Sequence, residues 1–184
     1  MSGGHGHVDP SNRKVALLIS LLALALAFSE TLGKSAQTSA LSYNIEASNL
    51  WAFFQAKTIR QTTMRTAAEQ LDAQFQDKAP EAVRKQVQKW KDTADRYQSE
   101  PDTREGRKEL AERAKAAEKK RDVALAAYHH YELASAAMQI AIVLASAEII
   151  TGVLALTWIA AGLGVLGIAF CVIGFWFPSA VHLF

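Results

Sequence analysis

From Ala134 to Phe184 the chain contains no Lys, no Arg and a single acidic residue, Glu148. A stretch this apolar cannot form the surface of a water-soluble domain. It is long enough for two membrane-spanning helices, because one span takes about 20 residues at ~1.5 Å rise each. Nearly all the charge lies between Lys34 and Glu132. A mean hydropathy near zero therefore averages two unlike parts. In the charged part both signs are interspersed. It has no basic face with interleaved aromatics, so no nucleic-acid partner is expected. The lone Cys171 sits in an apolar run, which gives neither a disulfide framework nor a thiolate metal site.

The pattern predicts an all-α fold of three transmembrane helices, with a long antiparallel, coiled-coil-like helical hairpin domain between the first and second spans. Residues 1–12 (MSGGHGHVDPSN) have no apolar periodicity and read as a disordered tail. Arg13-Lys14 then precedes VALLISLLALALAF. This segment fits an anchor over 13–33, or a cleaved signal peptide with an Ala25-x-Ala27 site. The anchor is favoured, because the helical pattern runs past the cleavage point. The hairpin domain covers 34–133, with helices expected at about 35–77, 81–98 and 103–133, the first of them reading as continuous with the first span. Lys78-Ala79-Pro80 and the run Ser99 to Asp102 supply the breaks. The first helix carries a seam at 3–4 spacing: Leu50, Phe54, Lys57, Gln61, Met64, Ala68, Leu71, Phe75. The second and third spans are expected at 134–154 and 158–177, joined by a short uncharged link, with 178–184 as a tail. Trp158, Phe175, Trp176 and Phe177 stand where interfacial aromatics belong.

Small residues recur at 4-3-4-3 spacing in each span, which suits close helix approach in lipid. The third span carries Ala160, Gly164, Gly167, Cys171 and Gly174, the stripe least open to chance. The second carries Ala141, Ala145, Glu148 and Gly152. The first carries Ala16, Ser20, Ala23, Ala27 and Glu30. Glu148 is the most pointed residue, because a carboxylate within a span should face the bundle interior and have a partner. It serves either as a hydrogen-bonded link between helices or as a step in a proton or ion path. Depth keeps Glu30 from pairing with Glu148; Glu30 is expected to meet Lys34 one turn away. Trp51, Phe54, Lys57, Gln61 and Trp90 are candidate core or oligomer contacts. Lys57 and Gln61 interrupt the apolar seam, and a polar core position can fix register and oligomer state.

No phosphate loop, nucleophile triad or HExxH spacing occurs, so no catalytic residue, cofactor or enzymatic activity is expected. His5 and His7 on the tail make only a weak candidate for a soft divalent metal. His129 and His130 are adjacent on a helix and point apart, so they read as interfacial polar residues. Gly106 in the first turn of the third domain helix reads as a mild weakness. Arg13-Lys14 favours a cytoplasmic N-terminus, whereas Lys115, Lys119, Lys120 and Arg121 before the second span pull the other way. A periplasmic domain is slightly favoured.

The stretches ETLGKSAQTSALSYNIEASNLWAFFQAKTIRQT (Glu30 to Thr62) and EPDTREGRKELAERAKAAEKKRDVALAAYHHYELASAAMQIAIVLASAEIITG (Glu100 to Gly152) resemble the bacterial membrane family called domain of unknown function 4337. The most specific element is Asn49-Leu50-Trp51-Ala52-Phe53-Phe54-Gln55-Ala56-Lys57. The resemblance implies a small multi-pass protein of the bacterial inner membrane and brings no activity. The expected role is a non-enzymatic protein that self-associates through its hairpin domain, as a scaffold or accessory subunit. Its partners would be membrane lipid, further copies of itself and possible other membrane proteins. The alternative is an oligomeric ion or proton channel or transporter using Glu148.

Overall fold

The structure, a computed structural model, describes residues 10–180. The tail histidines His5 and His7 lie outside the described residues. Among the described residues there are four helices, α1 (Pro10–Phe75), α2 (Glu81–Gln98), α3 (Arg107–Thr151) and α4 (Leu154–Trp176), with a 3-10 turn at Gln76–Lys78. Among the described residues there is no strand. Three of the helices, α1, α3 and α4, are long and apolar enough to cross a membrane.

The arrangement differs from a separate hairpin set between the first and second spans. No break occurs near 34 or near 133, so the first span and the first domain helix are one helix, α1. The third domain helix and the second span are likewise one helix, α3. The cause is local. Between Arg107 and Thr151 there is neither Gly nor Pro. Within α1 the only glycine is Gly33, and a lone Gly costs a helix only about 1 kcal/mol relative to Ala. Gly33 also has a packing reason to be there, since a Cβ at that point would lie 3.3 Å from Tyr131 Cβ. Pro10 opens α1, where its fixed φ suits a first turn and its missing N–H is no loss.

The breaks that do occur are proline-driven. Ala79 is extended (φ −61°, ψ 131°), as the residue before a proline must be. Pro80 then starts α2, its carbonyl accepting from the N–H groups of Val83 and Arg84. After α2, Ser99 is extended and Pro101 follows. Arg104 takes a left-handed φ of 56°, and α3 begins at Arg107 rather than at Thr103. Gly106 is therefore the residue just ahead of α3, and it is no weakness. A Cβ there would overlap the Glu100 backbone nitrogen and the Glu109 carboxylate, and would come within 2.7 Å of Ser99 Cα. That carboxylate accepts from Ser99 Oγ (2.6 Å) and from the Glu100 N–H (3.2 Å). The Ser99 hydrogen bond, with help from the Glu100 N–H and the charge of Lys108, holds the Glu109 carboxyl below the ordinary glutamate value.

Packing divides the chain at Ala40/Leu41 and at Arg121/Asp122 into two compact units. The charged unit is Leu41–Arg121. Its core is Ala47, Leu50, Leu110, Ala114 and Ala117, with Trp51 and Phe54 against it. Along α1 the burial continues through Lys57, Gln61 and Ala68, and α2 contributes Val87 and Ala94. Trp51 and Phe54 meet edge to face at 5.4 Å, and Trp51 Nε1 donates to Glu118 Oε1 at 2.9 Å. Exposed ion pairs Lys91–Asp72 and Arg65–Asp95 tie α2 to α1, each worth about 0–1 kcal/mol at such a surface.

The apolar unit comprises the start of α1, α3 from Asp122 onward, and α4. Its core is Val15, Leu22, Ala141, Ala145 and Ala160. Ala160, Gly164, Gly167 and Gly174 of α4 are buried, and Cys171 is partly so. A Cβ on Gly164 would come within 2.5 Å of Leu22 Cδ2; on Gly167, within 3.0 Å of Met138 Cγ; on Gly174, within 2.9 Å of His130 Cβ. On α1 the small-residue stripe fails as a packing face. Ala16, Ser20, Ala23, Ala27 and Glu30 are exposed, and the inward positions are Val15, Leu22 and Ser29. The reason is complementarity. The missing side chains of α4 leave a hollow that takes a large residue, Leu22, rather than another small one. The outward surface of this unit is made of Leu17, Leu21, Phe28, Ile140, Val143, Val165, Ile168 and Trp176.

Candidate functional site

Two sets of buried polar groups stand out, one in each unit. In the charged unit, Lys57 is only 7% exposed. Its Nζ lies 3.6 Å from Glu100 Oε2 and sits over the rings of Tyr97 (5.0 Å) and Phe53 (5.4 Å). Glu100 also faces Arg96 Nε at 3.5 Å. One turn further along α1, Gln61 Nε2 donates to the Ala94 carbonyl (2.9 Å) and to Gln98 Oε1 (3.2 Å). Arg107 completes the set. Its Nη1 donates to Gln61 Oε1 and to Gln98 Oε1 (2.9 Å), its Nε donates to Thr58 Oγ1 (2.9 Å), and its guanidinium lies 5.0 Å from the Phe54 ring centre. The two polar gaps in the α1 seam are thus filled from α2, from the turn after it and from the first residue of α3. Such a network fixes the register of three helices, because any slip strands a buried charge. Trp51, Phe54 and Trp90 are half-buried, and of these Phe54 lies against the network.

The sequence carries the gaps at Lys57 and Gln61 but not their partners. Arg107, Gln98 and Glu100 become partners only once the breaks at Pro80 and Pro101 set the register. The one local sign is their clustering around the second break.

In the apolar unit, Glu148 is 5% exposed and its Oε2 has no hydrogen-bond partner among the described residues. It continues the inward line of Ala141 and Ala145 and lies in the last turn of α3, where its carbonyl accepts from the Gly152 N–H at 2.7 Å. Thr157 Oγ1, in the first turn of α4, is also buried and unpartnered. Glu30 is exposed; its Oε1 accepts from Gln139 Nε2 at 3.3 Å, so Gln139, and not Lys34, is its partner. Gln139 precedes Glu148 by nine residues on α3, about 13 Å along the axis. The two carboxylates therefore do not meet.

Two further polar positions escape a reading by periodicity. Ser29 is fully buried; its Oγ donates to the Tyr131 carbonyl (3.0 Å) and accepts from Ser135 Oγ (3.0 Å). His130 is 1% exposed, stacks on Phe170 at 6.3 Å, and neither ring nitrogen has a hydrogen-bond partner among the described residues. It is a core residue, not an interfacial one. Its neighbour His129 points elsewhere, 3.6 Å from Glu132 Oε2. Among the described residues no group of three or more His, Cys, Asp or Glu is placed to hold a metal ion.

No curated protein and no solved structure matches the chain. A family model matches residues 11–177, from the start of α1 to just past the end of α4. It is to the family described as Domain of unknown function (DUF4337), and the chain belongs to that family.

Proposed function

We propose that the protein is a non-enzymatic integral membrane protein of the bacterial inner membrane that self-associates through its charged unit and acts as a scaffold or accessory subunit. The observation that carries this reading is a second apolar seam on α1. Leu41 (60% exposed), Ile45 (53%) and Ile59 (67%) point away from the core of the unit. Ile45, the exposed Ala52 and Ile59 stand seven residues apart, and Leu41 lies one turn ahead of Ile45, as heptad spacing requires. Seven residues after Leu41 comes the exposed Ser48, small enough to let a partner helix approach. The inward seam of the same helix is already satisfied within the chain, so the outward one is free for a second copy. The aromatic and polar residues around Lys57 then serve to stiffen the unit rather than to make the contact. In this reading the apolar unit crosses the bilayer, Arg13-Lys14 stays cytoplasmic and the charged unit lies in the periplasm.

The test is the molar mass of the full chain in detergent. Wild type should run as an oligomer, and an Ile45→Glu/Ile59→Glu double variant should run as a monomer with unchanged helical content. A monomeric wild type overturns the proposal.

A second reading rests on the unpartnered Glu148 oxygen. Under it, an oligomer conducts protons or cations past Glu148. Flux into proteoliposomes that Glu148→Gln abolishes would support it, and flux indifferent to that change would overturn it.

A further inference from the structure

Within the apolar unit a groove of about 450 Å³ opens between α1 and α3. Its floor is the hydrogen-bonded pair Ser29 and Ser135, and Gly33 keeps one wall clear beside Tyr131. Its rim carries one cation, Lys34, and two carboxylates, Glu30 and Glu132. The Lys34 ammonium makes no ion pair with Glu30, although the two are one turn apart; Glu30 turns to Gln139 instead. Glu132 is held loosely, by Tyr128 OH at 3.4 Å and His129 Nδ1 at 3.6 Å. The rim thus presents separated charges of both signs.

The depth of the groove is set by the sequence around it. On α1 the apolar run from Val15 ends at Phe28, directly before Ser29 and Glu30. On α3 the apolar run begins at Leu133, directly after Glu132. The charged rim therefore marks the polar boundary of the apolar helices. Ser135, Ala136 and Gln139 continue the groove into the apolar stretch.

We infer that this groove binds the headgroup of a zwitterionic lipid bearing a primary ammonium, that is, a phosphoethanolamine lipid. The inference rests on the bilayer placement proposed above and is independent of self-association. Lys34 takes the phosphate, as lysine does as a point charge. Glu30 and Glu132 take the ammonium, whose three N–H donors suit two carboxylates. A choline headgroup has no N–H to give them. A purely anionic headgroup would meet two carboxylates for one lysine. The acyl chains leave along the Ala136 side of the groove.

The test uses the full chain in mixed micelles with equal amounts of phosphatidylethanolamine, phosphatidylcholine and phosphatidylglycerol, with bound lipid counted by native mass spectrometry. The expected result is retention of phosphatidylethanolamine about fivefold above phosphatidylcholine. That preference should vanish in Glu30→Gln/Glu132→Gln, and retention should fall in Lys34→Ala. All three positions are on the rim, so helical content by circular dichroism should be unchanged. Equal retention of the two zwitterionic lipids, a preference for phosphatidylglycerol, or a preference that survives the double variant overturns the inference. Liposome flotation separates the two proposals. A chain that does not float overturns the bilayer placement and this inference with it; a chain that floats without the preference overturns this inference alone.

Discussion

Gly106 and Glu109 show how much the turn into α3 depends on single atoms. A methyl group at Gly106 would meet the backbone of Ser99 and Glu100, and neither can rotate away. Gly106→Ala should therefore destabilise the charged unit by about 1–3 kcal/mol, the usual cost of forced overpacking, seen as a lower urea midpoint by circular dichroism. Glu109 gives a prediction in pH. Its folded pKa is depressed, first by the Ser99 hydroxyl, so the unfolded chain binds the proton more readily than the folded one. The stabilisation is then complete above the ordinary glutamate value and is lost as pH falls through the lowered folded value. Glu109→Gln should lower stability at neutral pH and flatten its fall in acid, with the two proteins converging at the acid end. At this scale the sequence is legible only in part. Lys57 and Gln61 announce themselves by breaking an apolar seam. Arg107 does not, because an arginine opening a charged helix looks like any other solvated residue until Gln61, Gln98 and Thr58 are brought to it. His130 is hidden by its neighbour, since adjacent histidines look alike on paper and only packing against Phe170 and Gly174 distinguishes them.

Helix boundaries are legible in the sequence where proline acts and less so where only glycine does. Pro80 and Pro101 end what precedes them for covalent reasons. The absence of a break at Gly33 or Ala134 is a matter of what continues on either side, and a change from apolar to charged sequence does not itself interrupt a helix. The stripe on α4 and the stripe on α1 make a useful contrast. Both have the same spacing, yet only α4 turns its small residues inward. In an Ala- and Leu-rich helix such as the start of α1, every face offers small residues, and the partner chooses the face. The glycines of α4 are not equivalent either. At Gly164 a methyl group meets the free end of Leu22, which can rotate away. At Gly174 it meets the Cβ of His130, which cannot. Gly174→Ala should thus lower the melting temperature in detergent, with a cost of about 1–3 kcal/mol. Gly164→Ala should be close to neutral, because helix propensity returns up to about 1 kcal/mol. Equal effects at both positions would contradict the packing described.

Taken whole, the chain joins two kinds of surface. One unit displays Leu, Ile, Val, Phe and Trp outward, and the other displays mixed charge. Each surface suits a different solvent, which is why an average over the full composition says so little. In micelles, urea should melt the charged unit in one transition and leave the helical signal of the apolar unit standing; complete loss of helix in that single transition would contradict the division. Membership of the family adds no chemistry to this picture; the exposed α1 seam and the groove at the polar boundary are the features that point to a function. The link between α3 and α4 carries one more consequence. It is two residues long, Gly152 adopts a left-handed φ of 72°, and its N–H is bound back to Glu148. So short a link keeps the end of α3 and the start of α4 at the same depth. During synthesis, then, α3 and α4 are expected to insert together as a helical pair. A chain halted after Gly152 would leave Met138 and His130 without the Gly167 and Gly174 faces they pack against and should be cleared by quality-control proteolysis rather than accumulate.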